Sequence, residues 1–179
     1  MTKISSIQKS FWLIGTFCII AGTLLHFAFD WSNGSALVAL FAPVNESIWE
    51  HEKLLFFPFV TGAYVMAHKK HISMWAFPCM LSLLVGFTLI PCVYYTYTGA
   101  FGVKADWFNI VIFIATVCIT TLTYIRILKA SGPLTFPPAI GELILFLFLL
   151  LFAIFTFMTP QLPLFQDPMD ESYGFWQMK

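Results

Sequence analysis

Charged and hydrogen-bonding side chains crowd into residues 45–53 of an otherwise apolar chain, where the sequence reads Asn-Glu-Ser-Ile-Trp-Glu-His-Glu-Lys. Carboxylates and imidazoles at this density could bind a metal ion, capture a small cation or act as an acid and base pair. On one helix, Glu46 and Glu50 would share a face with Lys53. Two carboxylates at this spacing repel unless a cation, a proton or a donor intervenes. On a straight helix His51 would point away from them.

Polar side chains from distant parts of the sequence are expected at the same membrane depth. His26 and Asp30 are four residues apart near the end of the first apolar segment, Asn109 lies near the start of a later one, and Asp167 and Tyr173 follow the last. We therefore predict one functional or ligand-binding cluster, consisting of His26, Asp30, Asn45, Glu46, Trp49, Glu50, His51, Lys53, Asn109, Asp167 and Tyr173.

A bound metal ion would have Glu46, Glu50 and His26 as its predicted ligands. The H-E-x-x-H signature of many zinc enzymes is missing from the sequence. A purely structural interpretation stands beside this one. Ser47 and Glu50 match the S-x-x-E capping box of a helix N-terminus, and Trp49 suits the aromatic belt of a membrane protein.

The composition predicts an all-α integral membrane protein with a single transmembrane domain. Of 179 residues, 59% are hydrophobic and 10% charged, whereas a soluble domain carries about 25% charged residues. Net charge is zero, which gives no indication of a nucleic-acid partner.

About five transmembrane helices are predicted, at residues 11–30, 47–67, 73–95, 107–128 and 138–158. We expect residues 36–42 to form a short interfacial or re-entrant segment. The tail, residues 159–179, should be ordered, non-helical and folded over the helix ends, because it contains three prolines and many apolar residues.

The second predicted span is unusually short in apolar residues. From Leu54 to Ala67 there are fourteen residues before the basic sequence His-Lys-Lys-His, or about 21 Å of helix against a hydrocarbon core of about 30 Å. The polar residues before Leu54 are therefore drawn below the membrane surface. They need shelter from protein or from a wet cavity, because charges that face lipid are costly.

Basic residues indicate the orientation. Three basic clusters fall on one side of a five-span protein, which makes that side cytoplasmic. Most acidic residues fall on the other. The protein is therefore predicted to lie in the cell (inner) membrane, with its N-terminus in the cytoplasm and its C-terminus outside. The basic clusters are Lys3 with Lys9, Lys69 with Lys70, and Arg126 with Lys129.

Three segments carry a resemblance to a known group. The strings LHFAFDWSNGS (25–35) and PVNESIWEHEKL (43–54), followed by LFQDP and YGF in the tail, resemble a family of small, uncharacterised bacterial multi-pass membrane proteins with an Asn-Glu-Ser-x-Trp-Glu-His-x-Lys motif. The resemblance covers most of the chain and implies no activity. It does imply which positions matter most, namely His26, Asn45, Glu46, Ser47, Trp49, Glu50, His51, Lys53 and Asp167.

Three functions remain open from the sequence. The first is a membrane protein whose acidic and histidine-containing pocket opens to the extracytoplasmic side, where it binds and could transport a cation or small polar solute. The second is a membrane-embedded enzyme, either a metal-dependent or an acid/base hydrolase, that uses the same cluster. The third is a structural or assembly subunit of a larger membrane complex. The lipid bilayer is the expected partner in each case, and a homo-oligomer or a partner membrane subunit could join it.

Overall fold

A computed structural model describes residues 2–102, 105–130 and 138–177. Within these residues the regular structure is helical, and an isolated bridge between Gln166 and Tyr173 is the exception. Two 3-10 turns, Pro163–Phe165 and Phe175–Gln177, lie in the tail. The predicted all-α class is confirmed. The helices are α1 (Thr2–Trp31), α2 (Ala36–Ala39), α3 (Ile48–Lys69), α4 (Ala76–Phe101), α5 (Asp106–Ala130) and α6 (Pro138–Phe157).

Four helices in the described part of the chain are long and apolar enough to cross a membrane. They contain the segments Lys9–Trp31, Ala76–Phe101, Trp107–Ala130 and Ala139–Phe157. Many of their large apolar side chains are exposed, as expected for surfaces that face lipid. The protein is therefore a membrane protein with transmembrane helices. The predicted fifth span corresponds to α3, whose polar first turns leave it without a sufficiently apolar stretch, so a count of five stays a prediction.

Helix α3 is capped at its N-terminus by Ser47. Ser47 has an extended backbone, and its side chain accepts a hydrogen bond from the Glu50 amide at 3.3 Å. This half of the predicted capping box is confirmed. The other half is wrong, because the Glu50 carboxylate turns away and accepts a hydrogen bond from the Val44 amide instead.

Most of α3 is buried between the other helices. Its aromatic residues Phe56 and Phe59 lie in the main core, where Phe56 packs against Phe152 of α6 and Phe59 against Tyr124 of α5. Gly86 of α4 allows α3 to approach closely, since a Cβ there would lie 2.5 Å from a methyl group of Leu55. Protein, rather than lipid, therefore surrounds the polar start of α3.

The candidate residues lie at one end of the bundle, which we call the motif end. It comprises the C-terminal ends of α1, α4 and α6, the N-terminal ends of α3 and α5, helix α2, the loop 40–47 and the tail 158–177. The predicted short segment at 36–42 forms the four-residue helix α2 and a following turn. Beside it Phe29, Ala39, Ala42 and Val44 make a second small core.

The tail packs against this end of the bundle. Phe165 packs against Trp49 of α3, and Phe175 packs against Phe29 of α1. Gly174 has a φ of 57°, and a Cβ there would lie 2.7 Å from the Thr156 carbonyl. Only a residue without a side chain fits so close to the end of α6 in this left-handed conformation.

Candidate functional site

Two imidazoles and one carboxylate meet at the motif end. The Nε2 atoms of His26 and His51 are 3.3 Å apart. Glu46 places Oε2 at 3.3 Å from His51 Nε2 and Oε1 at 3.9 Å from His26 Nε2. Each residue therefore offers one potential ligand atom, and the three atoms lie within 4.8 Å of one another. We call these three residues the triad.

The spacing of the triad suits a tetrahedral metal ion. Zinc binds histidine nitrogen and carboxylate oxygen at about 2.0–2.2 Å, so two corners of a zinc tetrahedron lie about 3.3–3.6 Å apart. Two of the three triad distances, both 3.3 Å, match this edge. The third, 3.9 Å, joins His26 to the other carboxylate oxygen of Glu46, Oε1, and a small rotation of the half-exposed side chain would bring one oxygen within reach of both histidines.

Backbone groups orient two members of the triad. His51 Nδ1 lies 3.0 Å from the Ser47 carbonyl oxygen. A carbonyl can only accept, so Nδ1 carries a proton. Nε2 then has a lone pair for a ligand when His51 is neutral, and it donates to Glu46 when His51 is protonated. The Glu46 amide donates to Asp167 Oδ2 at 2.8 Å, which fixes the loop on which Glu46 lies. These are the outer-shell contacts that orient ligands in metal sites.

The sequence predicted that Glu46, Glu50 and Lys53 share one face of a helix, and the position of Glu46 shows why this was wrong. Because α3 begins at Ile48, Glu46 belongs to the loop before the cap rather than to the helix. Its side chain turns back toward His51, the residue predicted to point away. Glu50 and Lys53 stay on the helix and face a different neighbourhood.

The electrostatics of Glu46 favour its charged form. The hydrogen bond from His51, supported by the positive charge that both imidazoles can carry, holds the pKa of the Glu46 carboxyl below its usual range, although partial burial opposes this shift. A deprotonated carboxylate is the form that binds a metal ion.

A second polar cluster, formed by Glu50, Lys53 and Thr156, is buried beside the triad. Lys53 Nζ donates to Glu50 Oε2 at 2.6 Å and to Thr156 Oγ1 at 2.7 Å, and the Lys53 side chain is 0% exposed. Its third hydrogen is donated to the Ala39 carbonyl at 2.8 Å, and the Ala42 carbonyl lies 3.3 Å from Nζ. The ammonium therefore joins α2, α3 and α6. We call these three side chains the buried lock.

Glu50 has both carboxylate oxygens engaged within the buried lock. Oε2 accepts from Lys53 and from the Val44 amide, and Oε1 accepts from Thr156 at 2.9 Å. The side chain is 2% exposed. A buried charge with its hydrogen bonds satisfied is a structural element that is costly to disturb. The structure thus places Glu50, which the sequence suggested as a metal ligand, outside the triad.

Three further residues of the predicted cluster lie outside the triad and the buried lock. Asp30 is exposed, one turn beyond His26. Asn45 accepts a hydrogen bond from the Ser47 amide, so it shapes the turn into α3. Trp49 lies among Phe152, Phe155 and Phe165, a packing role.

Two residues of the predicted cluster, Asn109 and Tyr173, make other contacts at the motif end. Asn109 of α5 accepts a hydrogen bond from the Tyr97 hydroxyl of α4 at 2.7 Å. Tyr173 pairs with Gln166 in the isolated bridge of the tail. Neither belongs to the triad or to the buried lock.

Two buried residues did not enter the sequence prediction. Thr156 completes the buried lock, and its signal was present, since a threonine is unusual in the apolar sequence of α6. Glu52 is 4% exposed, and its carboxyl group has no hydrogen-bond partner among the described residues. Nothing in the sequence indicated that Glu52 is buried, because a glutamate among other charged residues is usually exposed to solvent.

Comparison with known proteins identifies the chain at the level of a family. The chain matches no curated protein and no solved structure. A family model described as a family of unknown function, DUF6512, matches residues 1–175. This agrees with the uncharacterised family expected from the sequence, whereas the particular motif is untested. Since the match covers nearly the whole chain, the protein belongs to the DUF6512 family.

Proposed function

We propose that the protein binds a divalent transition-metal ion of the zinc type at the triad of His26, Glu46 and His51. The observation that carries the proposal is the convergence of two Nε2 atoms and one carboxylate from three separate segments, with two separations of 3.3 Å. A shared cation would stabilise two imidazole nitrogens that are held this close.

The donor set favours one class of metal. Imidazole nitrogen suits zinc, copper, nickel and iron, whereas magnesium and calcium prefer sites made of oxygen. The triad offers two nitrogens and one oxygen. We therefore expect zinc or a similar ion to bind far more tightly than magnesium or calcium.

The proposal includes a membrane arrangement. Helix α3 has 22 residues, or about 33 Å of helix, which is long enough to cross the bilayer. We propose it as the fifth span, with its polar start sheltered by the protein. The basic clusters then lie in the cytoplasm by the positive-inside rule, and the motif end opens to the extracytoplasmic side of the cell membrane.

Metal titration of the purified protein in detergent tests the proposal. We expect one zinc ion per chain by isothermal titration calorimetry, and binding weakened more than about tenfold in His26→Ala, His51→Ala and Glu46→Gln. His68→Ala is the matched control, since His68 lies at the other end of α3 and its loss should leave the affinity unchanged. Equal affinity in the wild type and all three triad variants would refute the proposal.

One observation favours a second candidate, hydrolysis by a metal-bound water. Three protein ligands leave a fourth position of a zinc tetrahedron open, as in catalytic rather than closed structural sites. The Glu46 side chain is half exposed, so a small molecule could reach this position. A zinc-dependent turnover of ester or amide substrates that Glu46→Gln abolishes would support this role. Zinc binding without turnover of either substrate class would count against it.

A further inference from the structure

A separate cavity of about 200 Å³ opens at the motif end. Three elements form it, namely the start of α3, the C-terminal part of α4 and the tail. Its walls include Ile48, Tyr94, Tyr95, Pro163, Asp167 and Glu171. None of the triad residues lines it, so a ligand here would occupy a site distinct from the metal site.

The charge of the lining favours a cation. Asp167 and Glu171 supply two carboxyl groups, and no basic residue is among the lining residues in the described part of the chain. The Asp167 side chain is held in place by two backbone amides, those of Glu46 at 2.8 Å and Met169 at 2.7 Å. These neutral donors orient the carboxylate without cancelling its negative charge.

The turn that carries Glu171 is well fixed by hydrogen bonds. The Asp167 amide donates to the Ser172 carbonyl at 2.9 Å, and the Glu171 amide donates to the Asp167 carbonyl at 3.0 Å. The Ser172 amide donates to Asp170 Oδ1. A ligand that binds here would therefore meet a wall that needs little further ordering, which lowers the entropic cost of binding.

The remaining lining distinguishes an organic cation from a metal ion. Tyr94 and Tyr95 contribute aromatic rings, and Ile48, Pro163 and Pro168 contribute apolar surface. Aromatic rings attract ammonium groups through their π faces, and apolar walls accommodate methyl groups. An inorganic cation would gain nothing from these walls and would lose part of its hydration.

We propose that this cavity binds a small organic ammonium ion, with a methylated ammonium as the best fit. Ligand sites for drug-sized molecules measure about 300–1,000 Å³, so a cavity of about 200 Å³ suits a headgroup-sized ion. The same ammonium chemistry occurs in free amines and in lipid headgroups. Both sources reach a cavity at the membrane surface, and the experiment separates them.

The first arm of the test uses free ligands and the purified full-length protein in detergent. Saturation-transfer NMR and calorimetry would measure binding of choline and of 3,3-dimethylbutanol, which has the same shape without the charge. We expect choline to bind and its neutral analogue to bind at least about tenfold more weakly. Equal binding of the two, or no binding of choline in either arm, would overturn the proposal.

The second arm uses nanodiscs that contain either phosphatidylcholine or phosphatidylglycerol alone. Choline that binds equally in both lipids indicates that free amines are the ligand. Binding lost only in phosphatidylcholine indicates that the lipid headgroup already occupies the cavity. Either result supports an ammonium site and identifies its source.

Variants locate the binding to the cavity. Glu171→Gln and Tyr95→Leu should each weaken choline binding about fivefold or more, because they remove a charge and an aromatic ring. Asp170→Asn is the matched control, since Asp170 lies in the same turn but does not line the cavity. His26→Ala should bind choline normally. Monodisperse elution and an unchanged thermal transition confirm the fold of each variant, and unchanged affinity in both cavity variants would contradict the proposal.

Discussion

At the scale of single residues, the triad depends on which nitrogen of each imidazole carries a proton. His51 donates from Nδ1 to the Ser47 carbonyl, so in the neutral imidazole Nε2 can only accept, whereas in the protonated imidazole it donates to Glu46. His26 Nε2 lies 3.3 Å away and donates a hydrogen to the neutral form of His51 when no cation is shared. Metal binding would therefore move or release the proton of His26, whereas His51 is already in the correct tautomer.

We expect the metal affinity to decrease as the pH is lowered, because protons compete with the metal ion for the two histidines. The Glu46 pKa is lowered by the hydrogen bond from His51, so this carboxylate remains ionised below the ordinary glutamate value of about 4.3. Its contact with His51 stabilises the fold fully above that value and is lost only as the pH falls through the lower, folded-state pKa. Protons compete with the metal ion for the histidine nitrogens, so the histidines control how the affinity depends on pH.

Zinc titrations between pH 5 and 8 would measure this dependence. The affinity should decline as the pH is lowered across this range, while the protein is still folded. The Glu46→Gln variant should bind more weakly at every pH. An affinity that stays constant to pH 5 would indicate that imidazoles do not bind the metal.

The buried lock makes a separate prediction about stability. Lys53→Met would leave the Glu50 carboxylate buried without its cation, which costs about 3–5 kcal/mol. The double variant Lys53→Met with Glu50→Gln should lose less than the two single variants together, because it leaves no unpaired charge. Unfolding in detergent would measure both. Lys69→Met is the control, since Lys69 is exposed; if Lys53→Met cost no more than Lys69→Met, the lock would have no structural role.

At the scale of elements, the long apolar helices followed from composition and the loop geometry did not. Runs of about 20 apolar residues predict transmembrane helices directly, and four of the predicted spans coincide with α1, α4, α5 and α6. The Ser47 cap was also readable, because its hydroxyl satisfies a free amide at a helix start. The direction of the Glu46 side chain was not, since it depends on a contact with Asp167, 121 residues away.

The tail should control the metal site through that contact. Asp167→Ala removes the acceptor of the Glu46 amide, so we expect zinc affinity to fall about tenfold, as for other outer-shell partners of metal ligands. The absorption spectrum of bound cobalt should change as well, because the carboxylate is reoriented. A merely structural effect would lower thermal stability without changing the spectrum.

Asp170→Asn provides the control for the tail. It alters an exposed carboxylate of the same turn and keeps an oxygen that can accept from Ser172. Its zinc affinity and cobalt spectrum should match those of the wild type. If Asp167→Ala also matched the wild type, the tail would have no part in the metal site.

At the scale of the whole molecule, the packing of the helices explains how the charged side chains at the start of α3 avoid contact with lipid. Lys53 and Glu50 are sheltered by α2, α6 and the loop between α2 and α3, so their charges face protein rather than lipid. The sequence indicated that shelter was needed, from the short apolar run. It could not show that the charges pair with each other, because pairing depends on how distant helices pack.

The proposed orientation can be tested in intact cells. A cysteine introduced at Asp170 should react with a membrane-impermeant maleimide, whereas one introduced at Lys69 should react only after the cells are permeabilised. The unsubstituted protein is the control for its four native cysteines. The reverse pattern would place the motif end in the cytoplasm, and the metal site with it.

The most direct measurement of the central claim is anomalous diffraction at the zinc edge from crystals grown with zinc. We expect one strong peak per chain, about 2.0–2.2 Å from His26 Nε2, His51 Nε2 and one Glu46 oxygen. The peak should be missing from crystals of His51→Ala. A peak on other residues, or none at the triad in zinc-soaked wild-type crystals, would rule out the triad as the metal site.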